Sequence, residues 1–304
     1  MAPEKKLALL SGVAAVVVAS AFTAPAVAQE EAAVVNQRVD GLEAMETIGD
    51  INSGGISFLL GSDVTTKYIF RGYEQEESGL IVQPYAEFTA GIVDGIDVYA
   101  GIWNSVHSET TGDNNTHWFE ADIYAGVSIG EQILGLPGFA LDVSYVNYTY
   151  PSDAAGQYEE IDVSVSYDDS ANDISFSPYA LVAFEFDTTA PGDDENIYLE
   201  LGGELEFELV ESDTYPVALT VPLTLGLSLD EYYVDDGGDN EFFGYFSVGA
   251  NVGVPLPFIP REYGQWSAAA GVTFFLLNDN AEGLDDGDND NYNVAGTVGF
   301  ALEY

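Results

Sequence analysis

Lys67 and Arg71 stand four residues apart in a chain whose 6 lysines and arginines face 52 aspartates and glutamates. An alternating row of Phe58, Leu60, Val64, Thr66, Tyr68 and Phe70 makes one side of the segment 56–72 largely apolar. The same alternation sends Asp63, Lys67 and Arg71 to the other side. In later segments the matching parity gathers Glu120, Asp122, Asp142, Glu160 and Asp162. Cations on one wall of a lumen and carboxylates on the opposite wall set up a transverse field that orients polar solutes in transit. Alternatively, the same groups pair and fill a narrow barrel with salt bridges, and the sequence leaves both arrangements open. A lining with far more carboxylates than cations concentrates cations and repels anions, so a mild cation preference is expected, with no particular solute implied.

Other clusters promise less chemistry. Asp235-Asp236-Gly237-Gly238-Asp239-Asn240 and Asp285-Asp286-Gly287-Asp288-Asn289-Asp290 are loops rich in hard oxygen donors. They could hold calcium or bridge to lipopolysaccharide phosphates through divalent ions. Asp286, Asp288 and Asp290 have the spacing that opens an EF-hand loop, but Asn291 stands where that loop needs glycine and Thr297 where it needs glutamate. They remain weak metal candidates beside the simpler reading of solvated acidic loops. A saline habitat would account for the acidity equally well, because such surfaces stay hydrated. Lipid hydrolysis at a barrel rim would need a serine with a histidine base or calcium. His107 and His117 are the only histidines, with Ser105 and Ser108 close in sequence. That proximity is weak support for catalysis, so neither a catalytic residue nor a cofactor is expected.

The elements that must position these charges are strands. Twelve segments alternate or have strong strand composition: 56–72, 80–91, 96–105, 117–129, 139–150, 158–168, 174–186, 196–209, 216–228, 241–253, 263–277 and 291–304. Most reach the ~9–11 residues with which a tilted strand crosses a bilayer. No segment after residue 28 offers the run of apolar residues that a transmembrane helix requires. The expected fold is therefore all-β, an antiparallel transmembrane β-barrel of about 12 strands. With the amino terminus in the periplasm, the largest connections, 106–116, 187–195, 229–240 and 278–290, all fall on the external side. The intervening ones are mostly shorter, with 255–262 the longest exception.

The ends of the chain fit export. Lys5 and Lys6 precede an apolar run from Leu7 to Phe22, and Ala26-Val27-Ala28 forms a small-x-small cleavage pattern, so residues 1–28 are expected to be a signal peptide removed after Ala28. Arg38, Lys67, Arg71 and Arg261 are then the only basic residues left, which argues against nucleic acid as a partner. The chain has no cysteine, hence no disulfide and no lipid-modified cysteine. Residues 29–55 read as a periplasmic lead-in, a short helix or mobile stretch, with Val35, Val39, Leu42 and Met45 at helix-compatible spacing. Residues 56–304 form the barrel. The alternating last segment ends in Tyr304, as in outer-membrane proteins whose final strand is read by the barrel assembly machinery. The expected location is the bacterial outer membrane, among its lipids and lipopolysaccharide, with small solutes or cations as cargo.

Several motifs add a family resemblance. They are Tyr68-Ile69-Phe70-Arg71-Gly72 with Gln75, Gly95 with Val98-Tyr99-Ala100-Gly101-Ile102-Trp103 and Ser105, Glu120 with Asp122 and Tyr124-Ala125-Gly126, and Tyr148-Thr149-Tyr150-Pro151. Over about residues 62–205 the chain resembles the TorF-type porins, a conserved bacterial family without assigned function. The resemblance implies porin architecture and does not settle a transported solute; Lys67 and the strong acidity depart from the family pattern. Three functional classes follow: a passive porin-like channel, a closed structural or adhesive barrel with acidic loops, and, more remotely, an outer-membrane lipid hydrolase. A secreted β-sandwich would also alternate, but it does not call for small residues and isolated carboxylates opposite a continuous apolar face.

Overall fold

A computed structural model of the chain describes residues 55–304 except 111, 113, 173, 187–195, 213, 236–237 and 279–290. Residues 1–54, which hold the expected signal peptide and nearly all of the lead-in, lie outside the described residues, as do Asp286, Asp288 and Asp290. The described strands are β1 (Ile56–Thr65), β2 (Tyr68–Phe70), β3 (Tyr73–Glu76), β4 (Ile81–Val93), β5 (Ile96–His107), β6 (Trp118–Ile129) and β7 (Phe139–Thr149). They continue as β8 (Tyr158–Tyr167), β9 (Tyr179–Phe186), β10 (Ile197–Val210), β11 (Val217–Asp230), β12 (Phe243–Pro255), β13 (Gln265–Leu277) and β14 (Tyr292–Glu303). One short helix, α1 (Glu131–Leu134), sits in the connection between β6 and β7.

Twelve strands close into an antiparallel barrel in which β4 to β14 follow one another as a meander and β1 joins β14 to β4. Closure gives every wall strand a hydrogen-bonded neighbour on both sides, the condition for crossing a bilayer without exposed edges. The twelve segments read from the sequence coincide with these strands to within a few residues, apart from the end of the first and the start of the seventh, 174–186, where β9 begins only at Tyr179.

Alternation delivers two different faces. Outward come Phe58, Leu60, Ile102, Ile123, Val272, Val298 and Phe300, all exposed. Exposed rings collect toward both rims, with Phe88, Phe139, Tyr167 and Phe207 at one and Trp118, Phe184, Phe243 and Tyr292 at the other. An apolar band between two aromatic belts is what a lipid-facing wall presents. Inward come polar and small residues, including Asp63, Thr89, Ser128, Thr220, Asn251 and Ala295, all buried. At the upper end of β6 a register shift between Ser105 and Val106 breaks the alternation, turning Phe119 inward and Trp118 outward.

Gly55, where β1 begins, and the carboxy-terminal Tyr304 share one rim, called here the lower rim, with the connections 94–95, 130–138, 168–178, 211–216 and 256–264. The opposite, upper rim carries 66–80 and 150–157 and the strand ends that flank the connections after β5, β9, β11 and β13.

The first strand departs from its expected course. Rather than running to residue 72, β1 stops at Thr65, whose hydroxyl donates to the Lys67 carbonyl at 2.7 Å. The chain then leaves the wall and turns back into the barrel. Arg71 and Gly72 both adopt positive φ, 46° and 82°, the pair of left-handed residues that closes a tight two-residue hairpin. The resulting hairpin, β2 with β3, pairs with no wall strand. Tyr68 and Phe70 therefore do not face lipid; both are buried inside the barrel.

Candidate functional site

The lumen of the upper half is occupied by this hairpin, and the wall is shaped to receive it. Tyr68 donates its hydroxyl to Glu120 Oε2 on β6 at 2.7 Å. At the tip, Arg71 forks onto Glu160 of β8, with Nη1 to Oε1 at 2.7 Å and Nη2 to Oε2 at 2.9 Å. Both partners are sealed from solvent, with side chains 1% and 0% exposed. The guanidinium carbon also lies 4.3 Å from the ring centre of Tyr198 on β10, and 5.4 Å and 5.0 Å from those of Tyr232 and Phe70. Tyr233 donates to the Arg71 carbonyl at 2.8 Å, and Tyr73 to the Tyr232 carbonyl at 3.2 Å. A Cβ on Gly72 would come within 2.9 Å of the Tyr245 Cβ, so the turn is pressed against β12.

Electrostatics hold the tip in place. Burial alone would push the Arg71 guanidinium down, but the Glu160 carboxylate outweighs it and keeps the group above its ordinary value. A bidentate, fully desolvated pair of this kind is costly to break from one side, because the remaining charge is then buried alone. Burial likewise pushes the Tyr73 phenol up to about 12, so it stays a hydrogen-bond donor at neutral pH. Lys67 lies elsewhere. Its ammonium pairs with Glu74 and Glu77, both at 2.8 Å and both at the base of its own hairpin. Partial burial would lower its pKa, yet these two carboxylates raise it on balance. Lys67 and Arg71 thus do not share a strand face as the alternation suggested, because the strand that would have aligned them ends before either.

The carboxylates expected on the lumen side are all buried inside the barrel. Asp63 lies on β1, Glu120 and Asp122 on β6, Asp142 on β7, and Glu160 and Asp162 on β8. Tyrosines cap several of them: Tyr99 donates to Asp142 at 2.7 Å and Tyr148 to Glu160 at 3.1 Å. Both oxygens of Asp162 lack a hydrogen-bond partner among the described residues. Sequence inspection passed over Glu200, which accepts from Tyr179 at 2.7 Å and Tyr198 at 2.6 Å. It also passed over Glu87, which accepts from Tyr124 at 3.1 Å. Their strand parity was available: each stands between outward residues, Leu199 and Leu201 or Ala86 and Phe88.

The tyrosine rings lie flat against the wall because glycine makes room beside them. Gly61 faces Tyr85, Gly101 faces Tyr124, Gly126 faces Tyr99 and Gly202 faces Tyr179, each so closely that an added Cβ would collide with the ring. Ring-over-glycine packing spares lumen cross-section, and that space holds the hairpin.

One cluster has the residue types of a hydrolase. Ser105 Oγ lies 2.8 Å from His107 Nε2, and Glu76 Oε2 lies 3.7 Å from His107 Nδ1. The hydroxyl is 0% exposed, and the imidazole stacks on Phe119 at 4.5 Å. An ester has no approach to that oxygen, and the cluster serves as a seat for the base of β3. Ser108 instead accepts the Leu80 amide at 2.8 Å, and His117 donates to the His107 carbonyl at 3.0 Å. Among the described residues no group of three or more acidic, histidine or cysteine side chains is arranged to hold a metal.

A family model described as "Bacterial protein of unknown function (Gcw_chp)" matches residues 51–218, more than half of the chain. That stretch contains the hairpin, the acidic wall of β6 to β8, and Tyr198 and Glu200. No curated protein matches. Among solved structures, the NanC porin is similar at 9% identity over 80% of this chain and 98% of its own, with TM-score 0.46. An outer-membrane channel from Pseudomonas putida F1 gives 10% identity, 84% and 98% coverage and TM-score 0.45. The β domain of the Bordetella autotransporter BrkA gives 15%, 83% and 99%, and 0.41.

Proposed function

We propose that this chain, which belongs to the bacterial family of unknown function designated Gcw_chp, is an outer-membrane channel of porin type in which the β2–β3 hairpin constricts the lumen. The observation that carries the proposal is the contrast between faces: charged and hydroxylated side chains line the interior of a closed barrel whose exterior is an apolar band. A barrel needed only as an inert anchor has no use for six or more carboxylates facing a sealed interior, where each is costly to bury. The same carboxylates, far outnumbering the cations, support a mild preference for cations once the hairpin yields. Asp63, Glu120, Asp122, Asp142, Glu160 and Asp162 are the lining charges in this proposal, and Arg71 is the counter-charge that seals it. The likeness of the Tyr68–Gly72 and Tyr148–Pro151 motifs to TorF-type porins points the same way. Export through a signal peptide ending at Ala28, recognition of the last strand by the assembly machinery, and a lipopolysaccharide setting belong to the same proposal.

The competing reading is a closed structural or adhesive barrel, and the sealed Arg71–Glu160 pair is the observation in its favour. Single-channel recording of the refolded protein in a planar bilayer, with the reversal potential taken across a potassium chloride gradient, separates the two. Discrete openings with a cation-selective reversal potential support the channel. An inserted barrel that stays silent even when the hairpin is removed leaves the structural reading.

A further inference from the structure

The receptacle for Arg71 is built outside the hairpin that fills it, from the wall strands β7, β8 and β10 and from Tyr232 of the β11–β12 connection. Glu160 is held by the Tyr148 hydroxyl at 3.1 Å, and Tyr148 stacks on Tyr158 with centroids 4.2 Å apart. Tyr198 is fixed by its bond to Glu200 at 2.6 Å and its contact with the Tyr245 hydroxyl at 3.2 Å. Tyr232 packs on Tyr198 at 4.9 Å and offers its hydroxyl oxygen to Arg71 Nη1 at 3.2 Å. Apart from Phe70, every group touching the guanidinium in this way belongs to the barrel outside the hairpin, and Glu160 and Tyr198 stand on wall strands.

Such a set is a recognition site in its own right. A carboxylate presenting both oxygens matches the fork of a guanidinium, and aromatic faces at about 4–6 Å stabilise its delocalised charge. The occupant, by contrast, sits on a residue with φ of 46°, a conformation that a side chain other than glycine holds only when surrounding contacts impose it. We infer that Arg71 is the internal stand-in for a guanidinium-bearing solute: the cage of Glu160, Tyr148, Tyr198 and Tyr232 binds small guanidinium compounds from solution, in competition with the hairpin tip. The inference rests on the channel reading for its purpose, since a solute that displaces Arg71 would also clear the lumen. The binding itself can be tested without conduction.

The experiment uses the full chain folded in detergent micelles, with methylguanidinium as probe and methylammonium at equal ionic strength as control. Arg71→Ala should bind methylguanidinium saturably by calorimetry, at least about tenfold more tightly than methylammonium, since each tenfold corresponds to about 1.4 kcal/mol of fork and ring contacts. The double variant Arg71→Ala/Glu160→Gln should lose that binding. In the wild-type protein, which needs no substitution to fold, methylguanidinium should accelerate chymotryptic cleavage after Phe70 or Tyr73 several-fold over methylammonium. Equal affinity of the single and double variants overturns the inference, as does wild-type cleavage that does not respond to the probe. A silent bilayer recording with binding intact would count against the channel reading alone.

Discussion

Replacing residues 68–76 by Gly-Ser-Gly, so that Lys67 joins Glu77 through a short turn, should enlarge the conducting path by an amount the barrel dimensions set. Twelve strands spaced ~4.8 Å apart and tilted by ~40° give a backbone circumference of ~75 Å and a radius of ~12 Å. A layer of inward side chains ~5 Å deep leaves a free radius of ~7 Å and a cross-section of ~150 Å². A two-stranded hairpin with side chains on both faces spans roughly 10 Å by 10 Å, or ~100 Å². The hairpin therefore fills about two thirds of the upper lumen, and its removal should raise single-channel conductance about threefold or more. Wild-type protein should spend most of its time at the lower conductance, because the solvent-sealed Arg71–Glu160 pair holds the hairpin in place. The assay is planar-bilayer recording of both proteins at one salt concentration, after confirming by gel mobility before and after heating that each barrel is folded. Equal conductance and equal open time in two folded barrels would refute the assignment of the hairpin as the constriction.

Tyr68→Phe removes the hydroxyl that reaches Glu120, a charge-assisted bond of about 1.5–3 kcal/mol, and should raise the open fraction at least about tenfold in the same recordings. Asp122→Asn with Asp162→Asn should leave the barrel folded and lower the cation-to-anion permeability ratio, about twofold or more, read from the reversal potential. Gly101→Ala and Gly126→Ala drive a methyl group into Tyr124 and Tyr99, and should each cost about 1–3 kcal/mol in urea unfolding followed by tryptophan fluorescence. Asp169, in the lower-rim turn after β8, accepts from Ser175 Oγ at 2.5 Å and from the amides of Phe176 and Ser177 at 3.0 and 2.8 Å. Slight burial would raise its pKa, but these bonds outweigh it and hold the group below its ordinary 3.8. A depressed carboxylate stabilises above its unfolded pKa, and the effect disappears as pH falls through the folded value. Pepsin cleavage of the 168–178 turn should therefore rise as pH drops progressively below the ordinary 3.8, and Asp169→Asn should be cut readily at all pH values tested.

Strand positions were legible because period-two alternation is imposed by lipid outside and a polar lumen inside, and Val217 to Leu227 or Tyr292 to Tyr304 carries that signal without interruption. The inward placement of Glu120, Asp122, Asp142, Glu160 and Asp162 follows from the same parity. The hairpin was not legible for a complementary reason. Tyr68, Ile69 and Phe70 look like more strand to any reading by composition, and only the Arg71-Gly72 pair marks the reversal. What draws those residues inward is tertiary: Glu120, Glu160, Tyr198 and Tyr233 come from distant parts of the chain, and no local pattern announces them. The inversion of Trp118 and Phe119 escaped likewise, since a single extra residue in a strand leaves little trace in the alternation around it.

The sequence distances spanned by the hairpin have a meaning for biogenesis. Tyr68 meets a residue 52 positions ahead, Arg71 one 89 ahead and another 161 ahead. The segment that emerges first from β1 must therefore wait, exposed, until β6, β8, β10 and the β11–β12 connection have taken their places. Docking the arginine is then a late event that depends on a correctly registered wall: a slip of one residue in β8 would turn Glu160 outward and leave the arginine no partner. A barrel inserted with the wrong register would be left wide, while a properly built one narrows its own lumen, so that the constriction becomes a by-product of correct assembly.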